Sequence, residues 1–455
     1  MAGASLKPLP LLSMSSELPA RAPQDGARDE ERRRAFEEFV QRFQKKYSDA
    51  ERPGRFEAFC ENYDTIQAHN SEHHGYTLGV NEFSDLRPAE FSRKYARSAA
   101  AARAERESQN TSSWPSLGVH VYRNLSLPDS KDWRSEGAVT PVKNQGECGA
   151  CWAFTATGAL EGAWQIAAKQ LLDLSEQQFV DCTPGTSGCN GGNPVYAFIY
   201  ARKADLCTSG TYAFTAKQGQ CDVSSCRPAI PKGGVKGWVQ VPSGKTQLLM
   251  EAVAQQPVAV SIDAAPLFQQ YHSGVFSEDC PEDTINHAVL LIGYGKDNQD
   301  YWLIKNSWGS TWGENGYGRL VRGLPGNGIC GIKSGSTYPE VDGSKALGGM
   351  NSIPIWLLLL GISAVIFLGF AISFLIRCVV RRCKRCRERR AAAPPILRVG
   401  PALASGGQQL VADAPASRTG RAGNSRASRL LGPPSSPEGA SSTQEAQKTA
   451  AVNPV

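Results

Sequence analysis

The chain has 455 residues, of which 41% are hydrophobic, and it includes nine tryptophans and 13 cysteines. It is longer than one typical module of about 150 residues, and its composition excludes a fully disordered chain and a collagen-like repeat. The net charge of +6 is unevenly divided, because residues 1–126 are neutral, residues 127–342 carry −5 and the remainder carries +11. The basic excess therefore lies after the middle of the chain, and we expect no nucleic-acid partner.

The N-terminal part begins with residues 1–28, whose only apolar patch, Pro8–Met14, contains two prolines. A secretory leader usually has an uninterrupted apolar core, so a weak or absent leader is predicted. Aromatic side chains then recur at helical spacing over Asp29–Ser48, and a second helical stretch reaches about His73. We expect residues 29–126 to form a helical module.

From Leu127 the sequence changes to a glycine- and cysteine-rich opening, followed by a predicted helix over Cys151–Ala168. Strand-like runs come later, at Pro257–Asp263, His287–Tyr294, Tyr301–Lys305 and Gly318–Val321. A helical half followed by a β half predicts an α+β domain in two lobes over residues 127–342.

The C-terminal part contains an uncharged apolar run, Ile353–Ile376, which is long enough to cross a hydrocarbon core of about 30 Å. A buried core helix is the alternative, but the basic stretch that follows is typical of a cytoplasmic flank. We therefore predict a single transmembrane helix at 353–376, with the preceding domain luminal or extracellular. Residues 377–455 are predicted to be a basic flank and a disordered cytoplasmic tail, because no aromatic residue follows position 391.

Three cysteines, Cys378, Cys383 and Cys386, would lie beside the membrane on its reducing side. S-acylation is the leading hypothesis for them, and free thiols are the alternative. The tail has no histidine and no second cysteine pair, so we expect no zinc site and no other metal or cofactor.

The candidate nucleophile is Cys151, at the junction of a loop and a helix. Helix N-termini carry partial positive charge, which favours a thiolate over a thiol. Residues 127–342 contain nine cysteines, so one is left over if the other eight form disulfides. The sequence therefore favours a nucleophilic cysteine at 151.

A thiolate nucleophile needs a base, and residues 127–342 contain only two histidines, His272 and His287. His287 begins a strand-like run, whereas His272 lies in a predicted turn, so His287 is favoured. Asn306 follows another strand-like run and could orient the imidazole, although an isolated asparagine there would be an ordinary turn residue.

Three segments together resemble the papain and cathepsin family: Cys148-Gly-Ala-Cys-Trp, Gly188-Cys-Asn-Gly-Gly192 and Asn306-Ser-Trp-Gly. In that family the catalytic His and Asn follow the Cys by roughly 130–150 residues, and His287 and Asn306 lie close to this spacing. The resemblance covers residues 127–341. It implies a papain-like fold with a helical left lobe and a β-barrel-like right lobe.

The resemblance also implies residue roles. Cys151 and His287 would form a thiolate–imidazolium pair, Asn306 would orient the imidazole, and Trp308 would shield that hydrogen bond. The side chain of Gln145 would join the Cys151 backbone N–H in the oxyanion hole. Substrate backbone would bind at Gly191 and Gly192. The pocket for the second residue before the cut would be formed by Asn193, Pro194, Ser261, Ile285, Ala288 and Gly335, and would prefer bulky apolar side chains.

The family's disulfides would be Cys148–Cys189, Cys182–Cys221 and Cys280–Cys330. Cys207 and Cys226 then remain for a fourth bridge. Exchange of partners between the 182/221 and 207/226 pairs stays open.

The N-terminal module carries two further motifs. Spacings of three or four residues place one set on a single helix face: Glu51, Arg55, Phe59, Asn62, Ile66 and Asn70. A second set follows: Gly79, Asn81, Phe83 and Asp85. Both resemble propeptide motifs of cathepsin L-like enzymes, and they imply an inhibitor in cis whose later part runs through the cleft opposite to substrate.

Cleavage near Ser126–Leu127 would release the mature chain. Asp85 and Glu51 are candidates for an acid trigger, because protonation would remove charged contacts. Asn110 and Asn124 fit glycosylation sequons, both in the removable part.

The expected function is a cysteine endopeptidase made as a zymogen, monomeric, acting on proteins and peptides at acidic pH in a lysosome-like or other endomembrane compartment or outside the cell. The alternative is a catalytically silent, membrane-anchored binding glycoprotein with a papain-like fold. Such pseudoenzymes usually lack a catalytic residue, and here every named role is filled.

Overall fold

The computed structural model describes residues 23–96, 116–264, 266–278, 280, 285–347 and 355–391. Most of the predicted leader, the Asn110 sequon and the tail beyond residue 391 lie outside these ranges.

Two helices begin the described chain, α1 (Pro23–Arg42) and α2 (Arg52–Ser71). Their buried aromatic side chains pack together, with the ring of Phe59 5.3 Å from that of Phe36 and 5.1 Å from that of Phe39. The prediction that the first helix spans Asp29–Ser48 was wrong at both ends. The helix starts earlier and stops at Arg42, because the backbone turns at Gln44, which has a φ of 51°.

The helices that follow between residues 88 and 347 are short except for α4, which is nearly all buried. They are α3 (Pro88–Tyr95), α4 (Cys151–Ala168), α5 (Glu176–Cys182), α6 (Pro194–Ala201), α7 (Thr246–Gln255), α8 (Pro266–Gln269) and α9 (Ser344–Leu347). Gly158 lets α4 approach the sheet closely, because a Cβ there would lie 2.7 Å from Leu290 Cδ2.

Nine of the described strands form one sheet: β1 (Tyr76–Leu78), β2 (Lys131–Asp132), β5 (Val235–Gln240), β6 (Val258–Ile262), β7 (Tyr271–Phe276), β8 (His287–Lys296), β9 (Asp300–Lys305), β10 (Tyr317–Val321) and β11 (Thr337–Val341). Their order is β1-β7-β10-β9-β8-β6-β11-β5, with β2 on β8. The strands β3 (Leu206–Cys207) and β4 (Pro228–Ile230) pair separately.

The four predicted strand runs correspond to β6, β8, β9 and β10. His287 is the first residue of β8, but His272 lies inside β7, so its assignment to a turn was wrong. The helix-rich stretch precedes most of the sheet in the chain, and the α+β class is confirmed.

The C-terminal helix α10 spans Ile355–Ala391. By length and composition, its segment Ser363–Arg385 is apolar enough to cross a membrane, and its large hydrophobic side chains are exposed. The helix does not end with the predicted span at Ile376 but continues through the basic flank, because Arg and Lys are good helix formers.

Candidate active site

Cys151 is the first residue of α4, and its side chain is buried. The loop before it is held by the Cys148–Cys189 disulfide and by a hydrogen bond from Gly149 N–H to the Cys189 carbonyl at 2.6 Å. Cys151 is outside the disulfides of the described chain, and its position places the sulfur in the positive field of the helix start.

Those disulfides are Cys148–Cys189, Cys182–Cys221, Cys207–Cys226 and Cys280–Cys330. Three of them are the pairs that the resemblance implied, and Cys207–Cys226 is the fourth bridge formed by the two remaining cysteines, so the 182/221 and 207/226 partners are not exchanged.

His287 and Asn306 form a buried pair, in which His287 Nε2–H donates to Asn306 Oδ1 at 2.9 Å. The indole of Trp308 stacks on the imidazole, with ring centroids 4.4 Å apart. Burial lowers the pKa of His287 to about 4, against the opposing effect of the Asn306 hydrogen bond. Because Nε2 carries the proton of the neutral ring, Nδ1 is the nitrogen that can accept another, and it has no hydrogen bond within the described chain.

Gln145 joins the two halves of this site. Its backbone N–H donates to the Ser307 carbonyl at 2.8 Å, beside Asn306, and its Nε2 donates to the Cys148 carbonyl at 2.8 Å, beside Cys151. Ser307 Oγ donates to Gln145 Oε1 at 2.6 Å, which fixes the direction of the amide. Ser307 was not among the predicted site residues, although it follows Asn306 in the Asn-Ser-Trp-Gly motif.

The N-terminal module lies directly over these residues. Gln145 Nε2 also donates to the Tyr95 carbonyl at 3.0 Å, and the ring of Phe91 packs edge-on to Trp308 at 4.9 Å. Lys94 adds an ion pair to Glu147 at 2.9 Å. The segment around α3 therefore covers the amide of Gln145 and the indole that shields His287.

The second predicted motif connects this cover to the sheet. Gly79 N–H donates to the Gln270 carbonyl at 2.8 Å, and Asn81 Nδ2 donates to the Gln269 carbonyl at 2.8 Å. Phe83 is fully buried, and its ring lies 6.0 Å from that of Trp308. A Cβ at Gly79 would lie 3.1 Å from the His272 side chain, so close approach to β7 explains this glycine.

The first motif supports the second from α2. Arg55 pairs with Glu90 at 2.8 Å and donates to the Asp85 carbonyl at 3.3 Å. Asn62 donates to the carbonyls of Ser84 and Leu86, both at 2.8 Å.

Three further residues on this face of α2 contribute to the packing of the N-terminal module. Asn70 donates to the Leu78 carbonyl at 2.8 Å, and Phe59 and Ile66 are buried. Glu51 differs, because its exposed carboxylate bonds within its own turn, accepting from the Ser48 N–H at 3.1 Å and from Ser48 Oγ at 2.8 Å.

Asp85 is the buried charge of this module. Its carboxylate accepts a hydrogen bond from Tyr47 Oη at 2.7 Å and forms an ion pair with Lys45 at 3.1 Å. It joins the turn after α1 to the motif that docks on the sheet.

The predicted substrate residues occupy neighbouring elements. Ser261 on β6 is paired with Ala288 on β8, and a Cβ at Gly335 would lie 3.8 Å from Ser261 Oγ. Asn193 caps α6 through a bond from Val195 N–H at 3.0 Å, and Pro194 is the first residue of that helix. Ile285 is buried just before β8.

Gly191 and Gly192 are glycines for different structural reasons. Gly191 has a φ of 128°, a conformation that favours glycine. A Cβ at Gly192 would lie 2.6 Å from the Trp152 ring, so packing against that ring already requires glycine there. The substrate binding that the resemblance implies at Gly192 is not needed to explain why this residue is glycine.

A buried charge cluster next to the site was not predicted. Lys143 Nζ pairs with Glu176 at 2.6 Å and Glu161 at 3.3 Å, and Lys305 Nζ donates to Thr140 Oγ1 at 2.9 Å. Burial raises the pKa of Glu176 and lowers that of Lys305. The sequence did contain one indication of this cluster, because Glu161 is the one charged residue in the sequence of α4.

Comparison with family models gives two matches. Residues 127–340 match the papain family of cysteine proteases, and residues 36–91 match the cathepsin propeptide inhibitor domain. Fruit bromelain from Ananas comosus is 37% identical over 331 residues, which cover 71% of this chain and 90% of that protein. Cysteine proteinase 3 from Solanum lycopersicum is 41% identical, covering 68% of this chain and 84% of that protein.

Solved structures of precursors are similar as well. The proform of the ragweed pollen cysteine protease Amb a 11 superposes with a TM-score of 0.63 at 34% identity, covering 71% of this chain and 98% of that one. A recombinant stem bromelain precursor gives a TM-score of 0.62 at 37% identity, covering 69% and 99%.

Proposed function

The chain belongs to the papain family of cysteine proteases and carries the family's propeptide inhibitor domain, and from this premise we propose that its processed form is an endopeptidase that works through Cys151 and His287 at acidic pH.

In the proposed mechanism, Cys151 gives its proton to His287 Nδ1, and the resulting thiolate attacks the substrate carbonyl carbon. The imidazolium then protonates the leaving amine as the C–N bond breaks, which leaves a thioester on Cys151. Water attacks that thioester with His287 as base and regenerates the thiol. Asn306 orients the imidazole through the 2.9 Å bond to Nε2, and Trp308 keeps water away from it.

The observation that carries this proposal is the contact between Gln145 Nε2 and the Tyr95 carbonyl at 3.0 Å. A side-chain N–H that donates to a backbone carbonyl of the pro-region is suited to donate to the carbonyl of a substrate and to the oxyanion that follows it. The inhibitor therefore occupies a donor that catalysis requires, which is what a zymogen needs.

Acid activation is supported by the charges that hold the pro-region. The ion pair with Arg55 lowers the pKa of Glu90, so its stabilising effect is present at neutral pH and is lost as pH falls through that lowered value. The buried Asp85 carboxylate, paired with Lys45 at 3.1 Å, is a second charged contact that holds the pro-region.

A preference for bulky apolar residues at the second position before the cut follows from Ser261, Ala288 and Gly335. These small side chains leave space, and none of them is an acid that could pair with Arg. We also propose that Ser363–Arg385 tethers the enzyme to a membrane, with the disulfide-bonded domain on the oxidising side.

The alternative, a silent binding protein of this fold, is disfavoured because Cys151, His287, Asn306 and Gln145 all hold positions suited to catalysis. To test the proposal, the purified chain is acidified in wild-type and Cys151→Ser forms, and loss of the pro-region and peptide hydrolysis are followed. We expect loss of the pro-region and peptide hydrolysis in wild type and not in Cys151→Ser. Peptides with Leu or Phe at the second position before the cut should be cleaved in preference to those with Arg there. A wild type that is processed by added protease yet cleaves no peptide would overturn it.

A further inference from the structure

The pro-region occupies both edges of the nine-stranded sheet. At one edge β1 pairs with β7, next to the covered site. At the other edge residues 117–120 lie along β5: Leu117 N–H donates to the Trp238 carbonyl at 2.8 Å, Gln240 N–H to the Gly118 carbonyl at 3.1 Å, and His120 N–H to the Gln240 carbonyl at 2.7 Å. This second contact is separate from the residues around Cys151.

The His120 side chain is the buried anchor of this contact. Val119 is 56% exposed and His120 only 4%, which is the alternation of a strand laid on a domain. His120 Nδ1 lies 3.0 Å from Tyr338 Oη. Its Nε2 lies 3.7 Å from a Glu251 carboxylate oxygen and makes no hydrogen bond within the described residues.

Glu251 extends the contact almost to the proposed cleavage site. It is fully buried, and its carboxylate accepts hydrogen bonds from Arg123 N–H at 3.0 Å and Leu125 N–H at 3.4 Å. On the other side of Ser126–Leu127, the Pro128 carbonyl accepts a bond from Tyr294 Oη at 3.1 Å. The chain is therefore held close to this bond on both sides.

We propose that residues 117–125 form a latch whose docking on β5, Glu251 and Tyr338 keeps the Ser126–Leu127 bond from entering a protease cleft until His120 takes up a proton. This inference rests on the proposed cleavage near that bond. A cleft binds an extended stretch of several residues around the cut, so the latch must leave its dock before cleavage.

Acid sensitivity follows from the groups that face His120, which are Glu251 from α7, Tyr338 from β11 and Arg123 from the latch itself. Burial, the largest cause, lowers the pKa of His120; Arg123 acts in the same direction, and Glu251 opposes them. The undocked histidine, with an ordinary pKa near about 6.5, therefore binds a proton more readily than the docked one. Docking is stable above that pH and weakens by up to about tenfold per pH unit below it.

The test uses the full chain with Cys151→Ala, so that it cannot process itself. Amide hydrogen exchange of Leu117, His120 and Arg123 is measured at about pH 7.5 and about pH 5 and corrected for intrinsic exchange rates. We expect protection to fall about tenfold or more at the lower pH, whereas His120→Phe, which cannot be protonated, keeps its protection. His73→Phe, at an exposed histidine of the pro-region, should behave like the parent.

A second measurement uses an added protease whose rate is normalised on a free peptide of residues 116–130. Cleavage of the latch should accelerate on acidification in the parent and not in His120→Phe. Equal protection at both pH values in the parent, or a loss of protection in His120→Phe equal to that in the parent, would overturn the latch. Protection of the β8 amides reports that the domain stays folded. Neither measurement needs the chain's own activity, so failure of the latch is distinguishable from failure of the proposed function.

Discussion

Gln145 donates one side-chain hydrogen bond to the Tyr95 carbonyl of the pro-region while Ser307 holds the other end of its amide. A single side chain is thus both an oxyanion donor in the proposed mechanism and an attachment point of the inhibitor. In that mechanism, catalysis and inhibition use the same side-chain amide, so changing it should affect both.

Gln145→Ala should lower kcat of the processed enzyme by about 10²–10³, because one oxyanion donor is lost, while KM changes little. The same change should loosen the pro-region and speed processing by an added protease. Steady-state kinetics on a dipeptidyl substrate check the first effect. A change confined to KM would contradict the role of Gln145 in the transition state.

Ser307→Ala should lower kcat less than Gln145→Ala does, because Ser307 acts by holding the amide of Gln145 in place. The double variant should be no slower than Gln145→Ala alone, since the two residues act through one group. A double-mutant cycle on kcat measures this coupling. Additive losses would show that Ser307 acts independently.

Asn306→Ala should lower kcat by at least about tenfold and change the pH profile of the processed enzyme. Burial lowers the pKa of His287, and the Asn306 hydrogen bond opposes that effect. Removing the bond favours the neutral ring, so the alkaline limb, where the imidazolium is lost, should move to lower pH. An unchanged alkaline limb in a pH–rate measurement would exclude this role.

Asp85→Asn should raise the pH at which the zymogen is processed, because it removes the charge that pairs with Lys45 while keeping the size of the side chain. The midpoint pH of processing, followed by gel or mass spectrometry, is the measurement. Glu51→Gln is the matched control, since the exposed Glu51 carboxylate bonds to Ser48 within its own turn. Asp85 is excluded as a trigger if both variants keep the parent midpoint.

Lys143→Met should destabilise the domain by about 3–5 kcal/mol, because it leaves the buried carboxylates of Glu161 and Glu176 without their cation. Urea unfolding of the Cys151→Ser chain measures the free energy of unfolding. Lys203→Met, at an exposed lysine, should change it by less than about 0.5 kcal/mol. Equal losses in the two variants would show that the cluster is not a special source of stability.

Local sequence was enough to predict several parts of the fold and site. The start of α4 at Cys151 follows from the loop-to-helix change, and His287 begins β8 because a continuous apolar run starts there. The position of Asn306 immediately after β9 was predicted on the same basis. The α+β class and the protease family were confirmed.

The parts not predicted depend on contacts between distant residues. Lys143 contacts Glu176, and His120 lies close to Glu251, across long sequence separations. No local sequence pattern indicates either pair. The packing of Trp152 against Gly192 likewise appears only in three dimensions. The end of α1 at Arg42 was missed because the aromatic spacing continues past the turn to Tyr47, which packs on Phe36 from outside the helix.

Cys151 is proposed as the nucleophile of a working protease, and labelling with an irreversible peptidyl epoxide is the sharpest check of that role. The processed domain is incubated with the probe at mildly acidic pH, and the modified peptide is identified by mass spectrometry. The mechanism predicts one probe per chain on Cys151, loss of peptide hydrolysis in proportion to the fraction of chains labelled, and no labelling of Cys151→Ser. A processed wild-type domain that is neither labelled nor able to cleave peptides would contradict it.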